Sequence, residues 1–312
     1  MMEKDIDISI VIPLLNEVDS LDELTDRVID QLNKLHKKYE IIFIDDGSDD
    51  GSFEKLLEIK KNLENIRIIR FRKNFGKSAA LAEGFLRAKG GYVITMDADL
   101  QDDPAEISNL IAKLDEGYDL ISGWKRKRHD PITKTAPSKL FNFTTQLLTG
   151  IKIHDFNCGL KGYRSEVIKA IPVYGELHRY LPVLAHWQGF RVGEIEVEHH
   201  ARKFGKTKFG FRRFFSGFFD LLTVLFITRY RQKPMHLFGF LGLVSLFIGS
   251  VISLYLSVLW FQGYGIGHRP LLFLGVLLII VGVQSFSLGL IGDMLTSTKN
   301  ENFKTPVKEE IN

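Results

Sequence analysis

The chain has 312 residues, 45% of them hydrophobic, with 41 Lys and Arg against 38 Asp and Glu for a net charge of +3. So even a balance, with no recognised nucleic-acid module, argues against a nucleic-acid partner. The single cysteine, Cys158, excludes an internal disulfide and fits a reducing compartment.

From the N terminus, residues 8–13 form a short apolar run ending in Pro13-Leu14-Leu15-Asn16-Glu17. The run is too short for a signal peptide and is flanked by acid rather than base. Leu21, Leu24, Val28, Ile29, Leu32 and Leu35 then recur at helical spacing. A second strand is predicted over 39–44, closing on Asp45-Asp46-Gly47-Ser48-Asp49-Asp50-Gly51-Ser52, and Phe53, Leu56, Leu57 and Ile59 predict a second helix. Residues 66–71 read as a third strand, 78–88 as a third helix and 92–96 as a fourth strand. This alternation predicts an α/β fold, a parallel sheet with helices on both faces. Polar loops at 13–17, 45–52, 74–77 and 97–104 then gather at the strand ends, where open α/β sheets bind ligands.

None of these loops carries Gly-x-Gly-x-x-Gly or Gly-x-x-x-x-Gly-Lys-Ser/Thr, so the usual dinucleotide and P-loop phosphate cradles are missing. The fourth loop reads Asp97-Ala98-Asp99-Leu100-Gln101-Asp102-Asp103-Pro104. In an extended segment residues i and i+2 share a face, which aims the carboxylates of Asp97 and Asp99 into one crevice. Such a pair suits Mg²⁺ or Mn²⁺, whose other positions go to water and substrate phosphates. The same acids equally suit the cap of a helix starting near Pro104. The 45–52 loop is not a calcium loop, because Gly47 occupies the third ligand position and Asp50 replaces the turn glycine.

Val11-Ile12-Pro13-Leu14-Leu15-Asn16-Glu17, Asp45-Asp46-Gly47-Ser48, Asn74-Phe75-Gly76-Lys77 and Asp97-Ala98-Asp99-Leu100-Gln101-Asp102-Asp103-Pro104, in that order, resemble the family 2 glycosyltransferases. More narrowly, the first 230 or so residues are similar to the polyprenyl-phosphate type, such as dolichol-phosphate mannose synthase and the bacterial undecaprenyl-phosphate glucosyl- and aminoarabinosyl-transferases. The resemblance implies a GT-A fold, Rossmann-like with a mostly parallel sheet. It implies nucleotide-sugar contacts from Pro13, Leu15, Glu17, Ile44 and Asp46, with Leu15 standing where many members have Tyr. It also places metal and diphosphate on Asp97, Asp99 and Gln101, with Ala98 between them in the donor site.

Residues 119–125 read as a further strand, and the family has a donor-contacting base at Lys125. Lys125-Arg126-Lys127-Arg128-His129, followed by Lys134 and Lys139, is a basic cluster for an acceptor phosphate or anionic lipid. A solvated surface loop is the competing reading. Asp155-Phe156-Asn157-Cys158-Gly159-Leu160-Lys161-Gly162-Tyr163-Arg164 resembles the acceptor-side segment and makes Asp155 a catalytic candidate, while Cys158, without a base partner, reads as packing. His199-His200-Ala201-Arg202-Lys203-Phe204-Gly205-Lys206-Thr207-Lys208 has the form of the family's Arg-x-x-Gly-x-Ser/Thr-Lys loop, which implies that Arg202 and Lys208 bind the donor diphosphate. Cations there stabilise the charge that builds as a nucleoside diphosphate departs. The adjacent histidines point to opposite faces of a strand, which disfavours a shared metal.

Residues 235–261 and 270–292 contain no Asp, Glu, Lys or Arg, and each is long enough to cross a hydrocarbon core of ~30 Å. Arg229, Arg231 and Lys233 precede the first span, and Lys299, Lys304 and Lys308 follow the second. The positive-inside rule therefore places both termini in the cytoplasm around a transmembrane hairpin. Residues 209–230, with Arg212 and Arg213 near the start of a segment rich in Phe and Leu, fit either an interfacial helix whose two cations face the lipid surface or a packed juxtamembrane helix. The expected organisation is a catalytic domain over 1–208, a juxtamembrane segment over 209–233, the hairpin within 234–296 and a cytoplasmic tail over 297–312. Gly242, Ser245, Gly249 and Ser253 permit close packing within the hairpin or in a homo-oligomer.

An enzyme with a nucleotide-sugar pocket at a bilayer transfers logically to a lipid, and the resemblance specifies a polyprenyl phosphate. Such a monoester is largely dianionic at neutral pH and needs no general base. No Gln-x-x-Arg-Trp occurs and residues 176–181 hold no convincing catalytic acid, which favours a phosphate over a hydroxyl acceptor. Transfer to a hydroxyl and a non-catalytic nucleotide-sugar sensor are the alternatives.

Overall fold

The computed structural model describes residues 6–126, 142–147, 149–200, 203, 223, 226, 233–267 and 269–299. The chain divides into two compact units, Met1–Val224 and Leu225–Asn312.

The first unit is built on a seven-stranded sheet: β1 (Ile8–Leu14), β2 (Tyr39–Asp45), β3 (Ile66–Arg70), β4 (Tyr92–Thr95), β5 (Leu120–Trp124), β6 (Lys161–Arg164) and β7 (Val192–Glu196). Its order is β3-β2-β1-β4-β6-β5-β7. The first four strands are mutually parallel, as the sequence predicts, and β5 is parallel to β7. Strand β6, which the apolar pattern does not reveal, runs antiparallel to both neighbours, pairing Thr95 with Lys161 and Ser122 with Lys161. Its start therefore lies at the edge where β4 and β5 end.

All seven residues of β1 are buried, as a central strand covered on both faces requires. The Val11 carbonyl accepts from Met96 N–H and the Leu14 carbonyl from Asp46 N–H, so by alternation position 13 faces β4. The β1–β4 pairing ends at Val11↔Thr95, so Pro13 sits where no ladder donor is needed.

Helix α1 (Leu21–Lys34) buries Leu21, Leu24, Thr25, Val28 and Leu32, the stripe expected of a surface helix, with Asp22 and Glu23 in its first turn and Lys34 in its last. Helices α2 (Ser52–Lys61), α3 (Lys77–Arg87) and α4 (Glu106–Asp115) follow the second, third and fourth strands. α3 lies so close to the sheet that a Cβ on Gly84 would collide with Val11 Cγ1 and meet Ile44 Cδ1 at 3.1 Å. Short helices α5 (Ser165–Ala170) and α6 (Leu181–Trp187) complete the unit, and the core joins Ile8, Ile10, Ile12, Leu24, Phe43, Ile94, Leu110 and Leu160 among others.

The second unit contains α7 (Pro234–Phe261) and α8 (Pro270–Lys299), each long and apolar enough to cross a membrane. α8 runs beyond the predicted Gly292, taking in Asp293. Their contact is made backbone to backbone at glycines. A Cβ on Gly242 would lie 2.8 Å from the Gly282 carbonyl oxygen, and one on Gly249 2.8 Å from that of Gly275. The seven-residue spacing on both helices keeps these contacts on one seam. Asp293 accepts the Met235 N–H at 3.3 Å and so places an anion at the otherwise uncapped N-terminus of α7. The predicted interfacial segment at 209–230 lies outside the described residues, Thr223 and Phe226 apart.

Candidate active site

The strand ends bring together four loops. Residues 15–18 and 48–52 are stitched by five hydrogen bonds: Asn16 N–H to Ser48 Oγ, Asn16 Nδ2 to Asp49, Asp49 N–H to Asn16 Oδ1, Glu17 N–H to Ser52 Oγ and Val18 N–H to Asp50. Gly47 has φ +78°, and a Cβ there would lie 2.6 Å from the Lys73 carbonyl carbon, so this turn needs glycine both for its backbone and for its clearance. The Asp46 carboxylate accepts the N–H groups of Phe75 at 2.7 Å and Gly76 at 2.9 Å, tying the third loop to the second. Burial raises the Asp46 pKa above the usual carboxylate value, and those two amides only partly offset it. A cleft of about 350 Å³ opens beside this turn, lined by Gly47, Ser48, Arg70, Phe71 and Arg72.

Pro13, Ile44 and Ala98 are buried and shape this edge from beneath, whereas Leu15 and Glu17 are half-buried at its surface. The side chain of Ile44, fully covered, belongs to the core.

Asp97 lies two residues beyond the end of β4. Its carboxylate pairs with the ammonium of Lys77, the first residue of α3. Burial pushes the Asp97 pKa up, but Lys77, Lys125 and Lys161 together overcome this and hold it at about 2. The group is therefore a permanent anion at neutral pH. Asp99 Oδ1 accepts the Gln101 N–H at 3.2 Å. The intervening Leu100 has φ +58° while its side chain is buried in the core, a left-handed conformation that costs a leucine about 1–3 kcal/mol. Ser20 Oγ donates to the Ala98 carbonyl at 2.7 Å and anchors the turn. Two carboxylates, one held ionised, and the amide oxygen of Gln101 are all oxygen donors, the ligand type that Mg²⁺ and Mn²⁺ take.

The antiparallel direction of β6 carries residues 155–159 into this edge. Thr95 Oγ1 donates to the Gly159 carbonyl at 2.9 Å. A Cβ on Gly159 would lie 2.5 Å from Asp97 Cγ and 2.8 Å from Oδ1, so the Asp97 carboxylate rests against Gly159 and would have to move for any side chain there. Asp155 is buried, accepts the Asn157 N–H at 3.2 Å and offers its own carbonyl to Ser122 Oγ at 3.2 Å. Just before it, His154 stacks on Trp124 at 4.2 Å and is held by Glu194 through both its Nδ1 and its N–H. Lys161 is buried, donates to the Cys158 carbonyl and has its pKa lowered, burial being the main cause. Cys158 is also buried, which pushes its thiol up to about 12 and makes it a packing residue rather than a nucleophile.

Lys125, expected on the donor, is committed to Asp102 at 2.6 Å, with Asp102 completely buried and Lys125 only 12% exposed. Burial opposes its charge, but Asp102 and Asp97 raise its pKa well above the usual lysine value. Arg126 pairs with Glu196 at 2.7 Å on the surface. The two histidines diverge as expected: His199 is buried in a bridge with Asp102, and His200 reaches Asp103 at 3.0 Å. Asp103, Glu198 and His200 bring ligand atoms within 4.8 Å of one another, but Asp103 is also held by Arg27 at 3.1 Å. Arg202, Lys208, Arg128, Lys134, Lys139, Arg212 and Arg213 lie outside the described residues.

Sequence reasoning missed Lys77, Lys161 and Gly159 as site residues. All three stand inside motifs it singled out; what it lacked was the partner across the sheet.

Residues 9–172 match the model of glycosyl transferase family 2. The chain belongs to that family. This glycosyltransferase is 36% identical to dodecaprenyl-phosphate galacturonate synthase of Rhizobium johnstonii over 310 residues, 96% of this chain and 91% of that enzyme. It is 34% identical to undecaprenyl-phosphate 4-deoxy-4-formamido-L-arabinose transferase of Proteus mirabilis, over 94% of this chain and 90% of that one. Its fold matches that of glucosyl-3-phosphoglycerate synthase from Mycobacterium tuberculosis, solved with Mn²⁺, UDP-glucose and phosphoglyceric acid. The TM-score is 0.56 at 15% identity, over 72% of this chain and 79% of that one. The glycosyltransferase thus has the GT-A fold, with its acid pair at the end of the fourth strand.

Proposed function

We propose that this glycosyltransferase moves a hexose-type sugar from a UDP- or GDP-linked donor to a polyprenyl phosphate at the cytoplasmic face of a membrane. The observation that carries this reading is the match to prenyl-phosphate sugar enzymes over 94–96% of the chain, the apolar C-terminal helices included. Residues 1–208 then form the catalytic domain, 209–233 a juxtamembrane segment, 234–296 the transmembrane hairpin and 297–312 a cytoplasmic tail.

The nucleoside lies against Pro13, Leu15, Glu17 and Asp46, beside the cleft bounded by Arg70, Phe71 and Arg72. Asp97, Asp99 and Gln101 hold Mg²⁺ or Mn²⁺, which when bound supplies charge stabilisation to the diphosphate. Arg202 and Lys208 take the charge that grows on the leaving nucleoside diphosphate. The acceptor phosphate, already dianionic, attacks the sugar C1 opposite the leaving group: one C–O bond forms as another breaks, with inversion and without a general base. Asp155, buried beside the acid pair's loop, orients sugar or acceptor. The basic residues Arg126, Arg128, Lys134, Lys139, Arg212 and Arg213 draw the acceptor headgroup and anionic lipid to the site.

The test is turnover of the full chain in detergent with Mn²⁺ or Mg²⁺ and undecaprenyl phosphate against a panel of UDP- and GDP-sugars, read by mass. A lipid product heavier by one sugar residue and lost in Asp99→Ala is expected. Donor hydrolysis without lipid product, or donor binding without turnover on any donor, would overturn the proposal.

A further inference from the structure

Asp102 and His199 pair in an isolated antiparallel bridge, and the His200 N–H donates to the Gln101 carbonyl at 3.0 Å, so residues 101–103 and 198–200 run side by side. Alternation along both segments turns Asp102 and His199 inward, where both are buried, and leaves Glu198, His200 and, across the bridge, Asp103 together on the other face. Their ligand atoms lie within 4.8 Å of one another, with His200 Nε2 3.0 Å from Asp103 Oδ2. The Asp103 carboxylate is oriented by two further donors, the Ala105 N–H on Oδ1 at 2.9 Å and Arg27 on Oδ2 at 3.1 Å. A carboxylate oxygen has two lone pairs, so Arg27 takes one and the partner on the His200 side takes the other. A cavity of about 600 Å³ opens beside these residues, with Glu106, Glu196, Glu198 and His200 on its wall. Arg126, also on that wall, is already paired with Glu196 at 2.7 Å.

We propose that Asp103, Glu198 and His200 bind a divalent transition-metal ion of the Zn²⁺ type, at a site that shares no ligand with the acid pair Asp97 and Asp99. One imidazole and two carboxylates are a donor set that suits Zn²⁺, whereas Asp97, Asp99 and Gln101 offer oxygen alone, the preference of Mg²⁺. The spacing is close to what such an ion needs. Bonds of about 2.0–2.1 Å around a tetrahedral ion hold neighbouring ligand atoms about 3.3 Å apart, so His200 and Asp103 have to part by a few tenths of an ångström while the exposed Glu198 swings in. The bonds from Ala105 and Arg27 to Asp103 are the outer contacts that orient a metal-binding carboxylate. The cavity supplies an entry path and room for a water as fourth ligand. The ion replaces the hydrogen bond between His200 and Asp103 with two stronger bonds and fastens residues 198–200 to the loop that carries the acid pair. Arg202 follows two residues later, so the same tether fixes where the 202–208 loop begins. The inference is independent of which sugar or acceptor the enzyme uses.

The test is calorimetric titration of Zn²⁺ into the full chain in detergent, without a polyhistidine tag and with excess Mg²⁺ present to fill the all-oxygen site. The wild type is expected to take up one Zn²⁺. Loss of an outer partner typically weakens a metal by about 10–100-fold, and loss of a direct ligand does at least as much, so both His200→Ala and Glu198→Gln are expected to weaken uptake by more than about tenfold. Asp99→Ala is expected to retain it. Thermal unfolding gives a second readout, since an ion that binds the folded chain raises the melting temperature of the wild type and not that of His200→Ala. No uptake by the wild type, or equal uptake by the wild type, His200→Ala and Glu198→Gln, would overturn the inference. Loss of uptake in Asp99→Ala with His200→Ala unaffected would place the ion on the acid pair and overturn it as well.

Discussion

The carboxylate of Asp97 occupies the space that a side chain on Gly159 would need. Asp97 is short and already paired with Lys77, so a methyl group at 159 cannot be absorbed by a distant, flexible chain end. Gly159→Ala is therefore expected to rotate the carboxylate away from the crevice while leaving the fold intact, because no positive φ is involved. Outer-shell changes of this kind typically lower metal affinity or activity by about 10–100-fold. Mn²⁺ titration by electron paramagnetic resonance, alongside kcat/KM, measures both. Unchanged Mn²⁺ affinity would show that Gly159 does not position Asp97.

The Asp97–Lys77 pair also sets a pH dependence. The folded-state pKa of Asp97, about 2, lies below the ordinary carboxylate value, so its contribution to stability is complete above that ordinary value and is lost as pH falls towards 2. In Lys77→Met the largest opposing cation is gone and burial raises the pKa, so the stability that ionised Asp97 contributes near neutral pH is reduced and less of it remains to be lost on acidification. The detergent-solubilised Lys77→Met protein is expected to melt lower than the wild type at pH 6, with the gap closing towards pH 3. Superimposable curves would remove Lys77 from this role.

Lys125 and Asp102 form a buried ion pair, for which removing one partner strands a charge. Asp102→Asn or Lys125→Met alone is expected to destabilise the catalytic domain by about 3–5 kcal/mol, and the double substitution by clearly less than the sum. Thermal unfolding of the four proteins closes the cycle. Additive losses would mean that the two side chains do not share one interaction.

In the second unit, Gly242→Val would drive a branched side chain into the backbone at Gly282. Overpacking of this kind costs about 1–3 kcal/mol and forces the helices apart. Spin labels at Phe247 and Leu277, both exposed, are expected to report a longer and broader distance distribution in the variant. An unchanged distribution would show that the seam tolerates a side chain.

The first four strands and their loops were legible because parallel strands covered on both faces are written as continuous apolar runs, and residues 8–14 and 39–45 are such runs. β6 was not, because its buried residues include Lys161 and Gly162. Gly162 fills its place by letting Ile94, Leu110 and Leu114 close over it, each 3.3 Å from a would-be Cβ, and that leaves no apolar signature. The acid pair could be read from spacing alone, whereas its cations could not. Lys77 and Lys161 reach Asp97 from distant segments, and only the strand order brings them near. The depth of Asp102 was equally hidden, since in sequence it is one of several acids before Pro104.

The register between β4 and β6 acts as a gauge. With Thr95 opposite Lys161, Asp97 and Asp99 emerge from one end of the pair and Asp155 arrives at that same end, so the sheet sets their separation and the chain between them does not. Insertions within residues 127–141 leave the gauge untouched, whereas a slip of one residue would turn every β6 side chain to the opposite face and carry Gly159 away from Asp97. The long connection is thus free to vary in length and sequence while the spacing between the two groups of acids stays fixed.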